Sequence, residues 1–383
     1  MIRVRNFLRL TGLVLSLFGF SKAALADSHG LMDLGVQYDG WNANTTSPFN
    51  GYEILVPFSI GYQLDPGWKL YGQTGFADGS YTDSIAGTET LNLTDFTDSV
   101  VGSQFNFQSF GTPSLFNVAL NIPTGNSSWE TEEEASNIPT EFIDTRYLGR
   151  GWGASALYGL SFPDGKTQLG AAAGYYYAGA FNPNYGILTS TQLKLGDAFF
   201  LALNRVEDFH DNQNSIFRIS GLYSLPSQEN SANVFQMGPN VNASYAFNDP
   251  KGLSYEIGGE FFLPSQRLNS SGVMTTEPHN SFGQRFYLAP TLALGDWSFA
   301  GMVKYITTND YSPGDYSGLY DGGGLLLGIN PSYRWTLDAQ SSLNFLGGYD
   351  FIIHHNAGAD ADNNPADVDY SYWTLGATYE IKI

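Results

Sequence analysis

The sequence predicts an all-β fold, a transmembrane antiparallel β-barrel of about 16 strands with 14 as the nearest alternative. Three observations carry this expectation. The first is the C-terminal stretch from Tyr370 to Ile383, YSYWTLGATYEIKI. Trp373, Leu375, Ala377, Tyr379, Ile381 and Ile383 alternate there with Thr374, Gly376, Thr378, Glu380 and Lys382. A period of two with one greasy and one wet face is a strand. The second observation is recurrence: the same alternation returns over almost all of residues 31–383, which sets aside a lone soluble-sandwich strand. The third is the N-terminus. Arg3, Arg5 and Arg9 form a basic region, Leu10 to Phe20 a short apolar core, and Ala24-Leu25-Ala26 a small-x-small cleavage site. Residues 1–26 therefore read as a cleaved export signal, and residues 27–383 as one barrel domain.

Composition narrows the class further. After the signal no stretch reaches the ~20 apolar residues of a membrane-crossing helix. There are no cysteines, so an exported chain of 383 residues must be held by something other than disulfides. A closed strand network in lipid is one such device, because its backbone hydrogen bonds are costly to break in hydrocarbon. The formal charge is −20, and loss of the signal's Arg3, Arg5, Arg9 and Lys22 takes it to −24. That balance argues against nucleic acid as a partner and in favour of cations. The chain holds 24 Tyr and 27 Phe, enough to form aromatic girdles at two membrane interfaces, and 44 Gly that suit tight turns in a strand-rich wall.

Taken in order, Met32 to Tyr38 is the first strand and Ile54 to Tyr62 the second. Asp65-Pro66-Gly67 is a tight turn before the third, Trp68 to Phe76. Ala77 to Phe96 reads as a polar loop. Strands four and five are Asp98–Phe107 and Ser114–Ile122. The longest gap follows, Pro123 to Gly151. Ala154–Phe162 and Thr167–Gly179 flank a second tight turn, Pro163-Asp164-Gly165-Lys166. The remaining strands are Asp197–Val206, Ser215–Leu225, Val241–Phe247, Leu253–Leu263, Phe282–Leu294, Trp297–Thr307, Gly324–Trp335, Ser341–His354 and the C-terminal one. Short turns alternate with long links. An even strand count puts both termini on the short-turn side.

These residues resemble Gram-negative outer-membrane porins. Asn121-Ile122-Pro123-Thr124-Gly125 and Leu148-Gly149-Arg150-Gly151-Trp152 add a weaker resemblance to the putative transporter family of the meta-pathway of phenol degradation. The porin resemblance implies a location in the outer membrane, with short turns in the periplasm and long links outside. It implies contact with outer-membrane lipid and lipopolysaccharide, and no cofactor. Many such barrels end on Phe, whereas this chain ends on Ile383.

In sixteen-stranded general porins the loop after strand five folds into the lumen. The corresponding gap here is acidic: Glu130, Glu132, Glu133, Glu134, Glu141 and Asp144, followed by Arg146 and Arg150. A constriction built from these carboxylates would enrich cations inside low-dielectric walls; a solvated surface loop is the bland alternative. Arg205, Arg218, Arg285, Lys304 and Arg334 lie inside expected strands. A charge on the lipid face near mid-membrane costs ~2–4 kcal/mol, so these are expected in the lumen, either as a ladder facing the acidic gap or each paired with a neighbouring acid such as Glu256 or Glu260.

No catalytic or metal site emerges. Asp208-Phe209-His210 has the spacing of a carboxylate orienting an imidazole, but it falls on a short turn, where a polar turn histidine is the simpler reading. Asp360-Ala361-Asp362 starts like a calcium loop, yet Pro365 stands where Gly is needed and Ser371 where the bidentate Glu belongs. The expected function is a passive channel for small polar solutes, preferring cations. The first rival is a transporter of hydrophobic or aromatic compounds. It would need an apolar lumen and a plug, whereas Asp33, Gln37, Gln104 and Asn106 make the expected lumen polar. Other rivals are a barrel enzyme and a filled structural barrel. Association into a homotrimer leaves no mark in the strand text.

Overall fold

The computed structural model describes residues 30–44, 50–83, 89–125, 151–182, 192–209, 212–250, 252–263, 266–268, 274–278, 283–308, 323–359 and 365–383. The expected export signal, the candidate residues from Glu130 to Arg150, His210 and the stretch from Asp360 to Asn364 lie outside them. Alternation along the chain becomes a closed sheet. In order, the strands are β1 (Gly30–Asn44), β2 (Asn50–Asp65), β3 (Trp68–Asp83), β4 (Glu89–Phe96), β5 (Ser99–Ser109), β6 (Thr112–Ile122), β7 (Gly153–Asp164) and β8 (Thr167–Ala178). Then come β9 (Ala180–Phe181), β10 (Leu193–Lys194), β11 (Ala198–Asp208), β12 (Asn214–Ser224), β13 (Ser227–Glu229), β14 (Ala232–Gln236), β15 (Asn240–Asn248) and β16 (Leu253–Phe262). The last are β17 (Gln266–Leu268), β18 (Met274–Pro278), β19 (Gly283–Leu294), β20 (Trp297–Thr308), β21 (Gly323–Thr336), β22 (Ser341–Ala359) and β23 (Pro365–Lys382).

Seventeen of these form one antiparallel sheet. β4 and β5 lie end to end along β3, so they make a single crossing and the barrel has 16. Each strand pairs with its neighbour in the chain's own order. β1 closes the circle on β23, from Leu31 opposite Lys382 to Asn44 opposite Asp369. Gly30 and Ile383 exchange backbone hydrogen bonds of 2.7 and 3.0 Å at the end of that seam. No sheet edge is left in the wall, which is what hydrocarbon requires. Among the described residues no helix is long and apolar enough to cross a membrane; the strands do the crossing.

The outer face follows from the alternation. Leu34, Val36, Leu201, Leu203, Ile257, Leu288, Ile329 and Leu375 all point outward and are exposed. Aromatic residues border this belt at both ends. Near the short turns Trp68 stacks on Phe105 at 5.4 Å, and Trp297 lies 4.8 Å from Tyr333. Near the long links Phe76 meets Phe96, and Tyr175 meets Phe199 at 5.1 Å. Rings with a polar tip suit the two water–lipid boundaries. The chain thus has the build of a membrane-spanning β-barrel. At the short-turn end, the link from Ser109 to Thr112 puts Phe110 and Gly111 at φ of 54° and 75°. This is the doubly positive backbone of a type I′ hairpin turn, whose twist matches that of the strands it joins.

The long-link end differs from the sequence expectation in two places. The polar stretch Ala77–Phe96 is not a loop throughout. β3 runs on to Asp83, and β4 pairs beside it from Glu89. Beyond the lipid band both faces meet water, so polar residues continue the ladder without any hydrophobic alternation to betray it. Second, β9, β10, β13, β14, β17 and β18 form a separate six-stranded sheet. It joins three successive long links side by side, raising the wall above β8 to β19.

Candidate functional site: the lumen

The inward set is fixed by register. Asp33, Gln37 and Asp39 on β1 face the same way as Glu53 and Ser59 on β2, and Ser59 Oγ donates to Asp33 at 2.9 Å. Gln104 and Asn106 on β5 join them through Lys69 and Tyr71 of β3. On the far side the same parity selects Arg218, Glu256, Glu260, Arg285, Lys304, Asp350 and Glu380. Inward carboxylates of the described strands include Asp33, Asp39, Glu53, Asp95, Asp208, Glu256, Glu260, Asp350 and Glu380. Inward cations are Lys69, Arg218, Arg285, Lys304, Arg334 and Lys382. Acids are in excess.

Arg218, Arg285 and Arg334 share the inward set, each beside an acid. Arg285 Nη1 is 3.3 Å from Glu260 Oε2, with the two side chains only 7 % and 4 % exposed. Asn240 Nδ2 donates to the other oxygen of Glu260, and the Arg285 guanidinium lies 4.4 Å over the Phe262 ring. Two strands away, Arg218 Nη1 stands 3.9 Å from Glu256 Oε1, which also accepts from Tyr287 Oη at 2.9 Å. Glycine at 258 makes room for that tyrosine, since a Cβ there would overlap its ring. Arg334 reaches Glu380 at 3.1 Å and Ser342 Oγ at 3.2 Å near the short-turn end. Asp350 is hydrogen-bonded to Asn330 and lies within electrostatic reach of Lys304.

Arg205 departs from the expected lumen position. It shares the outward set with Phe199, Leu201 and Leu203, directly beside Leu169 and Phe217. Its guanidinium is 3.2 Å from Glu207 on the same face. The location close to the β11–β12 turn explains the tolerance: a long cationic stem reaches the interface while its methylenes cover apolar neighbours.

The lumen is not uniformly polar, contrary to the sequence reading. Toward the long links, Trp41, Leu55, Leu326, Ile352 and Tyr370 point inward and are almost wholly buried. On the opposite wall Leu115, Leu157, Phe200 and Leu222 pack together, with Met237 from the β14–β15 link against them. Toward the short turns the inward set is mostly small or polar, although Leu31, Val206, Ile216 and Leu346 belong to it. Between these halves Asp39 accepts from Tyr372 Oη at 2.6 Å and from Gln37 Nε2 at 2.8 Å. Among the described residues no group of three or more His, Asp or Glu could hold a metal ion.

The barrel is similar to solved outer-membrane structures. Acinetobacter baumannii OccAB1 shares 8 % identity over 94 % of this chain and 99 % of its own, with a TM-score of 0.50. Pseudomonas aeruginosa OccK7 shares 12 % identity over 92 % of this chain and 99 % of its own, TM-score 0.48. The anion-selective porin from Comamonas acidovorans shares 11 % over 93 % and 100 %, TM-score 0.43. At such identities the likeness is one of fold. The fold is that of outer-membrane channels. No family model and no curated protein matches the chain, so the weaker resemblance to the phenol-pathway transporters rests on residues alone.

Proposed function

We propose that this barrel is a passive diffusion channel for small polar solutes, with a preference for cations. The observation that carries the reading is the inward face: charged and amide side chains run along it on both walls, with carboxylates in excess. A closed wall of sixteen crossings leaves room for an aqueous path. Excess carboxylate in low-dielectric surroundings draws cations in and slows anions. In this reading the acidic residues Glu130, Glu132, Glu133, Glu134, Glu141 and Asp144 add to that field from the link after β6, with Arg146 and Arg150 as their local counter-charges. No catalytic role is part of the proposal.

The test is single-channel conductance in a planar bilayer, with the reversal potential read under a salt gradient. A steady conductance with a cation-sign reversal potential supports the proposal, and neutralising Glu130 and Glu132 to Glu134 should move that potential toward zero. Absence of conductance from folded barrel sinks it. A second reading, passage of hydrophobic or aromatic compounds, is favoured by the inward Trp41, Leu55, Ile352 and Tyr370. It predicts little ion conductance together with uptake of an aromatic solute into vesicles.

A further inference from the structure

Four inward charges of the β12–β22 wall, lying on two adjacent rows, alternate in sign. Arg218 is on β12, Glu256 on β16, Lys304 on β20 and Asp350 on β22. In the register that runs across these strands, Arg218, Tyr287 and Lys304 occupy one row, and Glu256 and Asp350 the next inward row toward the short turns. Each change of sign steps over one intervening strand: β15, then β19, then β21. With neighbouring strands ~4.8 Å apart, the charges repeat at about 10 Å along the wall, closer where side chains lean together.

This arc differs from the Arg285–Glu260 pair. Those two side chains are sealed, whereas Arg218 and Glu256 are 19 % and 33 % exposed. The Arg218–Glu256 contact is also loose at 3.9 Å, beyond hydrogen-bond range. Among the described residues the Nε of Arg218 finds no partner. That atom is buried, so what the lumen meets is the exposed part of the guanidinium, whose Nη1 is not hydrogen-bonded to Glu256, while Glu256 is held in place by Tyr287. Summed along the arc the charge is zero, so it adds nothing to selection between a lone cation and a lone anion. It presents instead a donor and an acceptor of opposite charge side by side. A solute that carries both charges a short distance apart satisfies both at once by charge-assisted hydrogen bonds. A simple ion meets attraction at one group and repulsion at its neighbour, and an uncharged solute gains neither.

We infer that the Arg218–Glu256–Tyr287–Lys304–Asp350 arc is a docking track for small zwitterions, molecules bearing an ammonium and a carboxylate, and that they pass faster than uncharged solutes of similar size. The inference rests on the channel reading and deepens it by naming a solute class.

Proteoliposome swelling tests it, with L-serine as the zwitterion and erythritol as the uncharged solute. The wild-type barrel should swell vesicles about threefold or more faster with serine, the advantage expected of one partly exposed charge pair. Arg218→Gln with Glu256→Gln should bring the two rates together by slowing serine. Lys304→Gln, made separately, should lower the ratio as well and serves if the double variant does not fold. Equal serine and erythritol rates through the wild type would overturn the inference and leave the channel standing. So would a serine advantage that survives both variants. No swelling with either solute would overturn the channel reading and the inference with it.

Discussion

Replacing Glu260 by Leu tests whether the lumen wall is held by its sealed ion pair. The wild-type carboxylate is 3.3 Å from Arg285 Nη1 and accepts from Asn240, and both charged side chains are more than nine-tenths buried. At 3.3 Å and an effective dielectric near 20, the attraction is about 5 kcal/mol. Most of it offsets the desolvation of two ions, so the pair adds little net stability over an apolar substitute. Breaking it is another matter. Leu at 260 leaves the Arg285 guanidinium buried over Phe262 with no counter-charge, at an expected cost of ~3–5 kcal/mol. Arg285→Met alone should cost a similar amount through the stranded carboxylate. The double variant, Glu260→Leu with Arg285→Met, should recover most of the loss, because neither charge is then left alone. The assay is urea unfolding of the barrel in lipid vesicles, with the folded fraction read from the heat-modifiable band on unboiled gels. If the single variants cost less than about 1 kcal/mol, or the double variant loses their sum, the pair is not sealed from water and the reasoning fails.

Further expectations concern the wall and its turns. Leu201 lies on the lipid face, so Leu201→Arg should lose ~2–4 kcal/mol in the same unfolding assay; a loss below half a kilocalorie would mean the face is wet. Gly258→Ala should push Tyr287 away from Glu256, at ~1–3 kcal/mol for overpacking, and Tyr287→Ala in that background should relieve the clash. At the β21–β22 turn, the backbone N–H groups of Gln340 and Ser341 donate to Asp338 at 2.7 Å each. These bonds, that of Gln340 foremost, hold its carboxyl below the ordinary 3.8. A lowered carboxylate stabilises the fold above its unfolded value and ceases to do so as pH falls through the lowered one. The stability gap between wild type and Asp338→Ala should therefore be present at neutral pH and close in acid below 3.8; a gap independent of pH would refute the assignment.

Much of the barrel was legible because lipid enforces alternation. Where a strand crosses hydrocarbon, one face must be apolar, and the two parities separate cleanly: Phe199, Leu201 and Leu203 stand together on one, Ala202 and Asn204 on the other. The tight turns at Asp65-Pro66-Gly67 and Pro163 to Lys166 then fixed where crossings end. Legibility failed where that constraint lapses. Asp78, Ser80 and Thr82 pair with Thr94, Asn92 and Thr90 outside the lipid band, and a wet ladder looks like a loop in the sequence. The raised sheet at the long-link end is built from strands such as Ala180–Phe181 and Leu193–Lys194, too short to show any period. Arg205 was readable after all, since it continues the parity of Leu201 and Leu203. The general cost of an outward charge obscured the exception allowed near an interface. Inward Trp41, Leu55 and Ile352 were hidden for the opposite reason: alternation names two faces, and apolar residues on the inner one weaken the contrast instead of announcing a lumen.

The seam between β1 and β23 joins parts of the chain far apart in sequence. Tyr372 and Asp39, hydrogen-bonded across it, are separated by 333 positions. Bringing such distant partners together carries a loop-closure entropy of about 5 kcal/mol, against very little for any hairpin in the wall. The seam is therefore the natural last step of assembly of the wall, where every other pairing joins consecutive crossings. Yet its location is an accident of where the chain starts. A circular permutant, with Gly30 and Ile383 linked and the chain opened at the β19–β20 turn instead, would keep every pairing and merely move the slow closure to that turn.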